Sequence, residues 1–392
     1  MSQSFTALGV SEPLVRVLTQ RNIHSPFAVQ ELALPDALAG LDILAQSPTG
    51  SGKTLAFGLP LVERTAAGGK QPGALVLVPT RELATQVAAD LKPLAAVKGL
   101  RITAVYGGTS VGQQAKAARS AHILIATPGR LNDLLERRLV SLDGVRVLVL
   151  DEADRMLDMG FQPQVDRILS HVPANRQTML FSATLEGPVD ALAQRYTSNA
   201  SRFRAELPAE RRGGDIEHQF VSVTNDDKLD RLVEHLRGDR GLTLVFVRTK
   251  HGADKLVKKL SRHDVAATAM HGNMSQNQRE RSLSRFESGK VSTLVATDVA
   301  ARGLDIDDIT HVINFDPPHG DEDYVHRVGR TGRAGRSGTG VTFVLPEQQT
   351  DVGKLASRLG HGDDFAASGM RTSQATSTSA RPTARRQRRR RR

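Results

Sequence analysis

Asp42-Ile-Leu-Ala-Gln-Ser-Pro-Thr-Gly-Ser-Gly-Lys-Thr54 is the stretch that decides the fold. A short apolar run, Asp42 to Ala45, leads into a glycine-rich turn, and the helical pattern Leu55 to Arg64 follows at once. In that setting glycines let backbone N–H groups close around phosphates, and the start of the next helix adds a favourable dipole. Ser47, Pro48, Thr49, Gly50, Ser51, Gly52, Lys53 and Thr54 are therefore the candidate phosphate loop. Lys53 reaches the β- and γ-phosphates of a nucleotide, and the Thr54 hydroxyl meets Mg²⁺. The first position of such loops is ordinarily Gly or Ala; here the small residue Ser47 stands there.

The same rhythm continues outward from this unit. Apolar runs at Ala74, Ile102, His122, Val145 and Thr178 each precede a longer helical pattern. After the polar stretch Glu206 to Asp215 a second series begins at Gln219, Thr243, Val265, Ser292, His311 and Gly340. Alternation of this kind predicts parallel sheets covered by helices on both faces. The expected organisation is two α/β domains, 1–205 and 215–350, joined by a linker at 206–214. A C-terminal extension, 351–392, ends in an arginine-rich tail. Ser, Thr, Ala and Arg dominate from Ala366 onward, so that tail is expected to be disordered.

Composition narrows the classes further. At 392 residues the chain exceeds one ordinary core. It contains no cysteine, which excludes disulfides and thiolate-bound metals. No apolar run reaches the ~20 residues that a membrane helix requires, and Met1 to Val10 lacks the features of a signal peptide. The expectation is a protein that stays where it is made. The net charge is +11, but nine arginines lie within 371–392, which leaves +2 for residues 1–370. The basic excess belongs mostly to the tail.

Asp151 and Glu152 directly follow the run Val145 to Leu150, at the carboxyl edge of the expected sheet. Ligands of open α/β sheets bind at that edge. Asp151 suits water-mediated Mg²⁺ coordination, and Glu152 suits orienting and deprotonating an attacking water.

Asp151-Glu-Ala-Asp154 is also the tetrapeptide that names the DEAD-box helicases. Around it stand Pro79-Thr-Arg-Glu-Leu83, Gly107-Gly108, Thr127-Pro-Gly-Arg130, Ser182-Ala-Thr184 and Gln276-Asn-Gln-Arg279. Thr297-Asp-Val-Ala-Ala-Arg-Gly-Leu-Asp305 and His326-Arg-Val-Gly-Arg-Thr-Gly-Arg333 complete the order. Over roughly residues 5–350 the chain resembles the DEAD-box ATP-dependent RNA helicase family. That resemblance implies two tandem RecA-like domains closing over ATP and RNA together. It implies that Arg330 and Arg333 act as arginine fingers, which stabilise charge on a transferring phosphoryl group. Gly303 and Asp305 join the ATP site, Gln30 takes the adenine edge, and Asp154, Ser182, Thr184 and His326 couple the domains. Arg81, Gly108, Thr127 and Arg130 in the first domain, with Gly272, Gln276, Arg279, Thr297 and Asp298 in the second, would touch the RNA backbone. Hydroxyls, glycine amides and guanidinium groups hold phosphates and sugars without reading sequence. With no Trp and three Tyr, platforms for base stacking are few.

The resemblance further implies ATP and Mg²⁺ as cofactors and RNA, single-stranded or in short duplexes, as the main partner. Ribonucleoprotein or RNA-decay partners, action as a monomer, a cytoplasmic location and no membrane association complete the expectation. One segment departs from the family pattern: Ile23 stands where an aromatic residue is usual and Phe27 where a small hydroxyl residue is usual, while Pro26 and Gln30 are retained. An RNA clamp that hydrolyses ATP with little unwinding carries the same motifs, as does a helicase acting on DNA. Intact Lys53, Glu152, Arg330 and Arg333 argue against a catalytically dead binding protein.

Overall fold

Residues 3–48, 50–205, 215–238, 241–301, 306, 308–332 and 336–370 are described by a computed structural model. In the first sheet the strands are β1 (Ile43–Gln46), β2 (Ala74–Leu77), β3 (Ile102–Val105), β4 (Ile123–Ala126), β5 (Val147–Asp151), β6 (Gln177–Ser182) and β7 (Ser201–Arg204). The second sheet holds β8 (Ile216–Ser222), β9 (Leu242–Phe246), β10 (Ala267–Met270), β11 (Thr293–Ala296), β12 (Ile309–Asn314) and β13 (Gly338–Val344). Their spatial orders are β3-β4-β2-β5-β6-β1-β7 and β10-β11-β9-β12-β13-β8, with the recorded pairings parallel throughout. These are the two parallel sheets expected from the alternating pattern.

Strand alternation explains how each sheet is covered. In β2, Ala74 and Val76 enter one core while Leu75 and Leu77 enter the core on the opposite face. In the second sheet Val245, Val295 and Ile313 face one cluster, and Leu244, Leu294 and Val312 face the other. Strands buried on both faces read as continuous apolar runs, which is why they were visible in the sequence. β7 was not visible. Its sequence, Ser-Arg-Phe-Arg, has one apolar residue, and it is an edge strand held by Ser201 N–H to Asp42 O (2.8 Å) and Ala205 N–H to Gln46 O (2.9 Å).

The packed body also runs beyond residue 350. Helices Gln349–Arg358 and Gly362–Ala367 lie against the second sheet, and Phe365 and Met370 are buried with Phe220, Tyr324 and Val344. Tail-like composition from Ala366 onward conceals the apolar anchor Met370. The linker 206–214 and the tail 371–392 lie outside the described residues. Among the described residues no helix is long and apolar enough to cross a membrane.

Parallel strands place their carboxyl ends on one edge, and that edge collects the motifs. β1 and β5 flank β6, so the phosphate loop, Asp151 and Ser182 stand side by side, with Ser47 N–H donating to Ser182 O at 2.9 Å. Gly272, Thr297 and Arg248 follow β10, β11 and β9 on the corresponding edge of the second sheet.

Candidate active site

The phosphate loop owes its shape to glycine. Gly50 and Gly52 have φ of +80° and +89°, and a Cβ at Gly52 would come within 2.5 Å of Gln30 Nε2 and the Phe27 ring. Only glycine meets both demands. Helix Lys53–Arg64 starts here, and buried Lys53 donates from Nζ to Ser47 O at 3.2 Å. The Ser47 and Ser51 hydroxyls are buried with no hydrogen-bond partner. Orphaned hydroxyls, a buried ammonium and a helix start form a donor-rich cradle that fits a polyphosphate. Pro48 belongs to the same turn and Thr54 is half-buried at the helix start, whereas Thr49 lies outside the described residues.

Gln30 reaches the phosphate loop. Its Oε1 accepts the Phe27 N–H and its Nε2 donates to Gly52 O, both at 2.9 Å. The side chain ties helix Ala28–Ala39 to the phosphate loop, so its carbonyl and one amide hydrogen are already engaged. Ile23 is half-buried and packs against the core of the first domain.

Asp151 ends β5, and Glu152 follows with φ +52°, an uncommon conformation for a residue carrying a Cβ. Both are buried. Burial pushes the Asp151 carboxyl up to about 7; Lys53 opposes that shift and the neighbouring Glu152 charge adds to it. For Glu152 burial also disfavours the charge, but Arg155, Lys53 and Arg330 together outweigh it and hold this carboxyl below its ordinary value. Two adjacent carboxyls are thus driven apart, Asp151 towards the protonated form and Glu152 towards the ionised one. Arg330, on the second domain, is itself buried and donates to His326 O at 3.2 Å. Its charge reaches Glu152 on the first domain. Arg333, Gly303 and Asp305 lie outside the described residues.

Asp154 anchors the next turn. Its Oδ2 accepts the Ala183 N–H at 3.0 Å, and the Ser182 hydroxyl accepts the N–H groups of Asp154 (3.3 Å) and Thr184 (3.4 Å). These bonds tie the end of β6 to the turn that follows Asp151 and Glu152. His326 lines a cleft of about 640 Å³ together with Asp158 of the first domain.

The expected RNA contacts fall into two patches that meet. The Arg81 guanidinium lies on the Gly107–Gly108 turn, where a Cβ at Gly108 would collide with it. Its pKa is depressed by burial first and then by the positive charge of Arg279, with Arg130 contributing too. Arg130 donates to Gln114 Oε1 (2.6 Å) and Thr109 O (3.2 Å) beside buried Thr127. Gln276 and Arg279 stand on the first turns of helix Gln276–Glu287, near Gly272 and Thr297. Three guanidiniums, one of them from the other domain, therefore converge, as a site for a phosphate chain requires. Asp298 differs from the others. Its carboxylate pairs in two-pronged fashion with Arg327, which also donates to Asn314 Oδ1 (3.1 Å) and Asp316 O (2.7 Å). That carboxylate braces the second domain.

Sequence reasoning did not single out three groups. Glu82 pairs with Arg279 across the domains at 2.7 Å, both side chains under a tenth exposed. Arg327 braces Asp298. Arg155 holds Glu152 through Nη1 and Oε2 at 2.8 Å. Only Arg155 left a signal, three positions after Glu152 at a helix start, the spacing that brings side chains together.

Comparison with known proteins places the chain among relatives of one family. The family model "DEAD/DEAH box helicase" matches residues 27–192, and "Helicase conserved C-terminal domain" matches 227–335. The DEAD-box ATP-dependent RNA helicase CshA of Geobacillus kaustophilus is 41% identical over 347 residues, covering 88% of this chain and 74% of that protein. The ATP-dependent RNA helicase CshA of Listeria monocytogenes is 42% identical over 346 residues, which span 88% of this chain and 66% of its own length. Among solved structures, S. cerevisiae Dbp5 bound to RNA and ADP BeF3 has a TM-score of 0.79 at 30% identity, covering 92% of this chain and 94% of that one. Mss116p bound to ssRNA and AMP-PNP scores 0.78 at 27% identity, covering 91% and 78%. A DEAD box protein from Methanococcus jannaschii, at 34% identity and coverages of 92% and 98%, scores 0.52. The likeness to the two chains that hold RNA and nucleotide extends over both lobes.

Proposed function

The chain belongs to the DEAD-box family of ATP-dependent RNA helicases, and from that premise we propose how its own residues divide the work. Domain 1–205 binds ATP, domain 215–350 closes over it, and RNA lies across both, held by backbone contacts with little regard for sequence. The cradle fits ATP with Mg²⁺, which supplies the phosphoryl group to be transferred. Lys53 and the loop amides hold the phosphates, while Thr54 and Asp151 would hold the metal, which would offset phosphate charge when bound. Glu152 orients the attacking water and accepts its proton, and Arg330, with Arg333, brings positive charge from the second domain. Asp154, Ser182, Thr184 and His326 couple that chemistry to the RNA groove, where Arg81, Gly108, Thr127, Arg130, Gly272, Gln276, Arg279 and Thr297 grip the backbone.

The observation that carries this reading is the buried Arg279–Glu82 contact across the domains at 2.7 Å, which sets the second domain against the first with Arg330 near enough to help hold Glu152 ionised, so that the hydrolytic site is complete only when the domains are together. RNA that bridges Arg81 and Arg279 favours closure, and so turnover depends on RNA. Short duplexes open, or RNA–protein contacts are remodelled, because the closed groove holds one strand. We place the protein in the cytoplasm, acting as a monomer on ribonucleoprotein or RNA-decay substrates. ATPase rates measured with ribosomal RNA, unstructured RNA and single-stranded DNA test the polymer class: the proposal expects stimulation by RNA, and equal stimulation by DNA would refute it. Strand displacement on a short duplex separates a helicase from a clamp, since a clamp would hydrolyse ATP and leave the duplex paired.

A further inference from the structure

We infer that Arg155 is a positioning residue for the hydrolytic step, fixing the Glu152 side chain so that one carboxylate oxygen is left for water. The inference rests on the reading of Glu152 as the general base. Arg155 stands in the short helix Ala153–Asp158, and its Nη1 holds Glu152 Oε2 at 2.8 Å. The pair has a single short contact; among the described residues, Glu152 Oε1 accepts no hydrogen bond and Arg155 has no other side-chain acceptor. One oxygen is anchored and the other stands available.

Two features set this pair apart from an ordinary helix-surface ion pair. The side chains of Arg155 and Glu152 are 9% and 8% exposed, so neither can exchange its partner for bulk water. Exposed i,i+3 pairs contribute little, whereas a buried charge that loses its partner is strongly destabilising. The second feature is the backbone. Glu152 sits at φ +52°, so its side chain leaves the strand end in a direction set by a conformation residues with a Cβ seldom adopt. The long Glu side chain has several rotamers available from there, and the single Arg155 contact selects one. A base must lie within hydrogen-bond reach of the proton it takes, and a misplacement of ~1 Å can reduce rate ~100-fold.

The test compares Arg155→Leu, Arg155→Lys, Glu152→Gln and the Arg155→Leu/Glu152→Gln double variant in the full-length protein. Arg155→Leu should lower RNA-stimulated kcat about 10- to 100-fold with little change in KM for ATP, and Arg155→Lys should restore part of the loss. In the Glu152→Gln background, Arg155→Leu should cost nothing further, because the residue acts only through Glu152. A readout apart from turnover is RNA retention with ATP, followed by fluorescence anisotropy. If only positioning is lost, Arg155→Leu should accumulate the RNA complex as Glu152→Gln does. A kcat within twofold of wild type in Arg155→Leu overturns the inference. So does failure to retain RNA with ATP, or a lowered melting temperature with raised KM that Arg155→Lys does not rescue; each would make Arg155 merely structural. Wild-type turnover in Glu152→Gln would instead remove the base assignment on which the inference stands.

Discussion

Glu82→Gln is expected to uncouple RNA from ATP turnover without touching either ligand's chemistry. Glu82 and Arg279 belong to different domains, meet at 2.7 Å, and have side chains 8% and 6% exposed. With the domains apart both charges are solvated, so the pair contributes only to the closed form. Removing one partner of a buried pair costs ~3–5 kcal/mol, because the remaining charge stays buried without compensation. Here Arg279 also faces Arg81, whose pKa it already depresses, so losing the carboxylate leaves repulsion as well as an unpaired charge. RNA phosphates supply some of the missing negative charge, which favours the lower end of that range. At ~3 kcal/mol the closing equilibrium shifts by roughly two decades, taking 1.36 kcal/mol per factor of ten. The assay is steady-state ATP hydrolysis titrated with RNA. The RNA concentration giving half-maximal rate should rise about 100-fold, while nucleotide affinity without RNA is unchanged. A rise of less than threefold would refute the reasoning and reduce the pair to an incidental contact.

Other consequences follow from the same geometry. Because burial raises the Asp151 carboxyl to about 7, the nucleotide-free site holds a proton there at lower pH, and Mg²⁺ must displace it; Mg²⁺-nucleotide affinity should fall up to about tenfold per unit below pH 7 and level off above it, and calorimetry in buffers of different ionisation heat would detect the proton released. A flat affinity from pH 6 to 8 would count against the assignment. Gln30→Ala removes the bonds to Phe27 N–H and Gly52 O that tie the preceding segment to the phosphate loop, so ATP should bind more weakly; titration of wild type and variant with ATP checks this, and equal affinities would count against it. Truncation of 371–392 removes nine arginines, and if these neutralise ~6 phosphates the log–log salt dependence of RNA affinity should flatten by a slope of roughly 4. Turnover at saturating RNA should stay nearly constant in the truncated protein, and superimposable binding curves would reject RNA capture by the tail.

The layers of the fold were legible because parallel strands buried on both faces are written as apolar runs, as in Val147 to Leu150 and Thr293 to Ala296. The phosphate loop was legible because glycine is needed at Gly50 and Gly52 for backbone reasons alone. What escaped notice depends on pairing across the fold. Nothing local marks Glu82 as the partner of Arg279, since their separation in sequence is bridged only when the two sheets meet. Nor does anything local mark Arg327 as the partner of the Asp298 carboxylate, since the two lie in separate motifs. The end of the packed body was hidden by composition: Phe365 and Met370 are two apolar residues in a polar segment, and only the cluster around Phe220 and Tyr324 explains their burial.

The most direct test of the account is ATP turnover by the full chain and by Glu152→Gln, each with and without RNA, paired with RNA binding in the presence of ATP. The account predicts that RNA stimulates wild-type hydrolysis at least tenfold. It further predicts that Glu152→Gln retains less than about 1% of that rate, as expected for loss of a general base worth ~10²–10⁴, yet holds RNA longer than wild type when ATP is bound. Wild-type turnover that ignores RNA, or a Glu152→Gln protein that hydrolyses ATP at the wild-type rate, would contradict it.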